Sequence, residues 1–230
     1  MKIKNFLTRF ESYFPNDQYR MASDMLQDTF IRRHFDPCPN VEGMTSIKKQ
    51  KLLQLAYGCL DEGEAYFEIG TYLGKSLISA MQANPRRPTY ACDDFSLFNQ
   101  GHNNDLLLAN LKQYGLADNV QFFNTDFRTV LSRNQILHRV GVYFYDGAHD
   151  ALSQHDGIQL VEPLLADHAL VIVDDWRLAE DSESYAKAGT ERAIQASSNR
   201  WQLLLDLPAR YNGDHGLWWN GVAVFAFNRL

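Results

Sequence analysis

The chain has 230 residues, of which 45% are hydrophobic and 13% aromatic, and a formal charge of −6. That is enough apolar mass for one sizeable core, which excludes a disordered chain, and no apolar run approaches the roughly 20 residues needed to cross a bilayer. The acidic balance argues against duplex nucleic acid: the basic runs Arg32-Arg33, Lys48-Lys49-Gln50-Lys51 and Arg86-Arg87 are short and scattered and read as solvated helix faces and turns.

The N-terminus, Met1-Lys2-Ile3-Lys4-Asn5-Phe6, has no long apolar stretch of the kind a secretory signal carries. Phe6, Phe10, Tyr13 and Phe14 recur at helical spacing up to Pro15. A second helical stretch is expected over residues 19–35, before Pro37 and Pro39 break the chain. Thr45 or Ser46 can cap a helix reaching residue 60, with Ile47, Leu52, Leu53, Leu55 and Ala56 as its apolar stripe. Residues 1–42 are thus expected to form a helical extension, a lid or a dimer arm, ahead of a main domain over 43–230. From residue 65 the pattern changes to short apolar strands (65–70, 89–93, 120–124, 140–146 and 170–175) alternating with helices (73–82, 105–114, 128–137 and 152–165). Such alternation predicts an α/β fold, a doubly wound, mostly parallel sheet covered on both faces. After a helix over 182–196, two strands, 201–207 and 218–227, flank the loop Asn212-Gly213-Asp214-His215-Gly216 and predict an antiparallel hairpin, giving seven strands in all. Three cysteines, Cys38, Cys59 and Cys92, show no metal-site spacing; Cys92 reads as a core residue, and the reducing cytoplasm is the simplest setting.

The chemistry gathers at strand ends. Glu68-Ile69-Gly70-Thr71-Tyr72-Leu73-Gly74 places two glycines where a strand turns into a helix, with an acid at the strand tip. Glycine permits close backbone approach, the helix start offers free N–H groups, and an acid suits a cationic ligand better than a pyrophosphate. The spacing E-x-G-x-x-x-G is wider than that of dinucleotide loops. Asp93-Asp94 ends the second strand, where doubly wound folds place an acid on ribose hydroxyls. Asp126, after the third strand, suits either an adenine amino group or the cap of the next helix. The fourth strand ends Tyr145-Asp146-Gly147-Ala148-His149-Asp150 and the fifth Val173-Asp174-Asp175-Trp176. Acids crowded on neighbouring strand tips are costly unless a cation neutralises them, so Asp146, Asp174 and Asp175 are expected to hold Mg²⁺, with loop or helix capping as the alternative. His149 is the candidate general base, with a structural loop role as the alternative.

Together these residues resemble class I S-adenosylmethionine-dependent methyltransferases of the D-G-x-H, "methyltransferase 24" type. The chain is also similar to metal-dependent O-methyltransferases, among them the catechol, caffeoyl-CoA, macrolide and aminocoumarin sugar enzymes. The resemblance spans about residues 43–229, and the terminal hairpin is characteristic of methyltransferases. It implies that Glu68 and Gly70 border the methionine part of S-adenosylmethionine and that Thr71, Gly74 and Ser76 also bind the cofactor. Asp93 would bind the ribose, with Asp94 as fallback, and Asp126 and Phe127 would border adenine. Asp146 would border the cofactor as well as the metal, and Gly43-Met44-Thr45 would close over it. Two departures touch the base: catechol-type enzymes carry a lysine where this chain has His149, and the sugar enzymes carry an acid where it has Ala148.

The expectation is therefore Mg²⁺-assisted O-methylation of a small hydroxylated molecule, a sugar or secondary metabolite, with no nucleic acid or membrane partner and with room for a homo-oligomer. Trp176, Arg177, Tyr185, Trp218 and Trp219 are candidates for the acceptor pocket, though core packing accounts for each of them singly. A metal-independent methyltransferase, a nicotinamide oxidoreductase and a non-catalytic binding protein on the same fold are the alternatives.

Overall fold

The computed structural model describes residues 1–14, 37–84, 86–98, 101–176 and 185–230. The expected helix at 19–35, Arg177 and the first residues of the helix expected from 182 lie outside them. Helix α1 (Ile3–Tyr13) and helix α2 (Ile47–Tyr57) precede the alternating core. Ser46 caps α2 by accepting from the Lys49 N–H at 3.1 Å. The core then runs β1 (Ala65–Ile69), α3 (Lys75–Met81), β2 (Thr89–Asp93), α4 (Asn103–Gln113), β3 (Val120–Asn124), α5 (Phe127–Ser132), β4 (Val140–Tyr145), α6 (Ala151–Val161) and β5 (Leu165–Asp174). It ends with α7 (Tyr185–Ala196), β6 (Arg200–Leu207) and β7 (Val222–Asn228).

The seven strands form one sheet in the order β3-β2-β1-β4-β5-β7-β6. Strands β1 to β5 pair in parallel, and β7 and β6 close the edge antiparallel, as the sequence predicts. The strand order reverses between β1 and β4, so the loops following those two strands diverge and open a crevice. Strand β5 begins five residues earlier than expected, at Leu165, because a single 3-10 turn, Glu162–Leu164, ends the preceding helix. Strand β7 begins at Val222, leaving Trp218 and Trp219 in the loop.

Alternate strand residues face opposite layers. Tyr66, Val142, Phe144 and Ile172 pack beneath α1 to α4, while Phe67, Tyr143, Tyr145 and Val171 pack beneath α5 to α7. Helix α1 is built into the first layer: Phe10 and Phe14 lie 6.1 and 5.2 Å from the ring of buried Trp218. Lys48 and Lys49, expected on a solvated face, are fully buried. This corrects the sequence expectation, and the reason is positional. Lys49, Leu52, Leu53 and Ala56 recur at i, i+3, i+4 and i+7, so the lysine sits on the apolar stripe of α2.

Candidate active site

A cavity of about 450 Å³ opens at the carboxyl ends of β1 and β4, within the usual range of small-molecule sites, about 300–1,000 Å³. Its floor is the β1–α3 turn. Gly70 has φ +85°, and a Cβ there would fall 1.8 Å from the Asp146 carbonyl oxygen, so the backbones of the two loops touch. Gly74, at φ +90°, starts α3 but stands behind the cavity wall, against Leu107. Thr71 and Ser76 line the cavity; Glu68 does not. Glu68 is fully buried beneath the turn, accepting from Tyr66 Oη and Ser76 Oγ, each at 2.6 Å. The expectation that Glu68 borders the ligand is corrected: it supports the wall through Ser76. Burial raises its carboxyl to about 7, against the lowering by the two hydroxyls.

Asp93, Asp94, Asp126 and Phe127 line the far side. Asp93 accepts from the Tyr72 N–H at 2.7 Å and the Phe95 N–H at 2.8 Å, tying the β1 and β2 loops together. Asp94 accepts from the Ser96 N–H at 2.9 Å. Asp126 caps α5, accepting from the Arg128 N–H at 2.8 Å. Thr45, in the segment expected to close over the ligand, lines the cavity with a buried Oγ1 that lacks a hydrogen-bond partner. Four of the non-glycine residues with positive φ also line it: Tyr72, Phe98, Asp175 and Trp219. Strain of this kind persists where surrounding contacts over-determine the backbone, commonly at ligand sites.

Asp146, His149, Asp174 and Asp175 meet at the other end. His149 Nε2 lies 2.7 Å from Asp175 Oδ2. Burial would lower the imidazole's pKa, but the bond to Asp175 and that residue's charge raise it overall. The same bond, with a further one from Asn220, holds the Asp175 carboxyl low despite burial. Asp174 accepts from Lys49 Nζ with both oxygens, one of them at 2.6 Å, and from the Asp175 N–H at 2.8 Å. Burial acts to lower the Lys49 pKa, but Asp174, Asp146 and Asp175 outweigh it and keep the ammonium charged. Burial and the Asp174 charge push the Asp146 carboxyl well above its ordinary value.

Residues 67–176 match a family model described as a methyltransferase domain. This segment is similar to methyltransferase domains. The fold agrees with solved structures across nearly the whole chain. Rv0187 from MTB, solved with its cofactor, is 19% identical at a TM-score of 0.63, covering 96% of this chain and 95% of that one. The Bacillus cereus O-methyltransferase in complex with SAH is 16% identical at a TM-score of 0.61, covering 99% and 100%. The O-methyltransferase TomG from Streptomyces achromogenes, in complex with SAM, is 17% identical at 0.56, covering 96% of each chain. Comparison with curated proteins gives no match. Among the described residues, no helix is long and apolar enough to cross a membrane.

The fold thus assembles its acids on one rim, yet not as the expected metal set. Among the described residues, the group whose potential ligand atoms lie within 4.8 Å of one another is Asp146, His149 and Asp175. Asp174 is committed to Lys49, so the set Asp146, Asp174 and Asp175 does not fit a divalent ion as it stands. Sequence reasoning missed Lys49, although its place on an apolar stripe was a readable signal. It also missed Asn220, which no local pattern marks. Of the aromatic candidates for the acceptor pocket, Trp219 lines the cavity. Trp218 and Trp176 are buried, Trp176 against Phe225 at 5.4 Å, and Tyr185 is exposed on α7.

Proposed function

We propose that the chain transfers a methyl group from S-adenosylmethionine to a hydroxyl oxygen of a small acceptor. The observation that carries this reading is the convergence of the Gly70 turn, Asp93 and the His149–Asp175 pair on one cavity at the reversal of strand order. The cavity fits the cofactor: Gly70 lets the backbone approach it, and the unpartnered Thr45 Oγ1 offers it a hydrogen bond. Thr71 and Ser76 stand at the methionine end, Asp93 keeps carboxylate lone pairs for ribose hydroxyls, and Asp126 and Phe127 border the base. The bound sulfonium supplies the methyl group, the S–CH₃ bond breaking as the O–CH₃ bond forms.

His149 acts as the base. With Nε2–H donated to Asp175, the lone pair on Nδ1 takes the acceptor's hydroxyl proton, and Asp175 stabilises the imidazolium that results. The rest of the catalysis is placement of the hydroxyl in line with the methyl. No step is routed through a metal: Lys49 engages Asp174, one of the three expected ligands, and His149 serves as the base. Trp219 and Asn220 bound the acceptor end, so an acceptor with an apolar face beside its hydroxyl suits the cavity, such as a secondary metabolite or a sugar derivative.

The test is calorimetric titration with S-adenosylhomocysteine and with NAD⁺, followed by label transfer from S-adenosylmethionine to a panel of hydroxylated compounds. Binding of the first nucleoside alone and label on an oxygen are expected. His149→Ala should then lower turnover by about 10²- to 10⁴-fold with cofactor affinity preserved. Tighter binding of NAD⁺ would refute the assignment, and full activity of His149→Ala would remove the base.

A further inference from the structure

The acid rim raises a question of charge balance that the methyl-transfer reading leaves open. Asp146, Asp174 and Asp175 come from two neighbouring strand ends, and such a cluster needs a counter-charge. The counter-charge comes from a distant part of the chain. Lys49 belongs to α2, 125 positions before Asp174, and its side chain is fully buried. Its Nζ donates to both oxygens of Asp174. The same carboxylate also takes the Asp175 N–H at 2.8 Å. Asp175 in turn holds His149 at 2.7 Å. Asp146 also hydrogen-bonds Asp174. Each acid therefore has a partner within the chain, and the strongest pairing is an ammonium with a carboxylate.

We infer that the buried Lys49 ammonium is the resident cation of this rim and occupies the electrostatic role a divalent ion would otherwise fill. A lysine suits the role because its charge is compact and its three N–H donors can satisfy a carboxylate from one side. The fold sets the geometry. Ser46 caps the first turn of α2 through the Lys49 N–H, and Leu52, Leu53 and Ala56 anchor the same face in the core. A divalent ion in the Asp146, His149 and Asp175 group would face that ammonium across Asp174, and the two like charges would repel. Lys49 is a positioning residue: it acts through Asp174 on the wall where the acceptor sits. The inference extends the methyl-transfer reading, and its test does not depend on an acceptor.

Mn²⁺, as a spin probe for Mg²⁺, is titrated into the full chain with and without S-adenosylhomocysteine, and free ion is read by electron paramagnetic resonance. The wild-type chain is expected to leave the Mn²⁺ signal unchanged at millimolar ion. Lys49→Met keeps an unbranched side chain, shorter by the terminal nitrogen, and removes its charge; it is expected to acquire a saturable Mn²⁺ site, which Lys49→Met with Asp175→Asn loses again. Saturable Mn²⁺ binding by the wild-type chain that Asp175→Asn abolishes would overturn the inference, and so would a folded Lys49→Met that binds no Mn²⁺. If Lys49→Met does not fold, the wild-type titration alone decides. Failure of S-adenosylhomocysteine to bind in the same samples counts against the methyl-transfer reading and leaves the ion result standing.

Discussion

Glu68 shows how a single buried acid can serve a site it never touches. Its two oxygens are held by Tyr66 and Ser76, and Ser76 in turn lines the cavity. With the folded pKa raised to about 7 by burial, the native state keeps a proton that the unfolded chain has already released above its ordinary 4.5. The folded state binds more protons across that window, so this residue's contribution favours folding below it and is lost as pH rises from about 5 to 7. The change amounts to roughly 3 kcal/mol at about 1.4 kcal/mol per unit. Glu68→Gln can still pair with both hydroxyls and cannot ionise. Urea unfolding at pH 5 and pH 8 is expected to show a smaller loss of stability for Glu68→Gln than for the wild type. Equal losses would mean that the carboxyl titrates normally.

At the scale of elements, the cavity wall depends on close packing of strands on helices. Gly157, within α6, faces the Tyr145 ring at the end of β4; a Cβ at that position would lie 2.1 Å from the ring. Tyr145 is buried, and its hydroxyl donates to the Ala148 carbonyl, in the loop that carries His149. Helix propensity alone favours Gly157→Ala by about 1 kcal/mol. Overpacking against a fixed ring costs about 1–3 kcal/mol. We expect packing to win, so that Gly157→Ala lowers the urea midpoint. A raised midpoint would show that the ring and its loop give way. Gly189 of α7 has a similar place against α6, where a Cβ would meet the Ala151 carbonyl at 2.6 Å, so the two helices approach backbone to backbone.

At the scale of the whole molecule, chain that precedes the matched segment, residues 67–176, completes the site. Helix α1 covers part of the sheet through Phe6, Phe10 and Phe14, and the latter two hold Trp218, whose neighbour Trp219 lines the cavity. Helix α2 delivers Lys49 to Asp174. Phe10→Ala is expected to cost about 3–5 kcal/mol in denaturant unfolding, the range for deleting a buried aromatic ring. A loss below 1 kcal/mol would mean that α1 is an appendage to the core.

The chain's local patterns determined the alternation of β1 to β5 with helices, the closing hairpin and the strand-end positions of Asp93, Asp146, Asp174 and Asp175. They did so because a strand buried on both faces is a short apolar run whose end shows as a glycine or an acid. The same patterns placed Ser46 at a helix cap and Gly70 at a tight turn. Partnership was decided only by tertiary structure. Lys49 and Asp174 are 125 positions apart, and the Tyr66 and Ser76 hydroxyls turn Glu68 away from the cavity. Which acid takes a lysine, which takes a histidine and which stays beneath the wall depends on how layers of the fold stack, because charge pairing acts across space and leaves no period in the sequence.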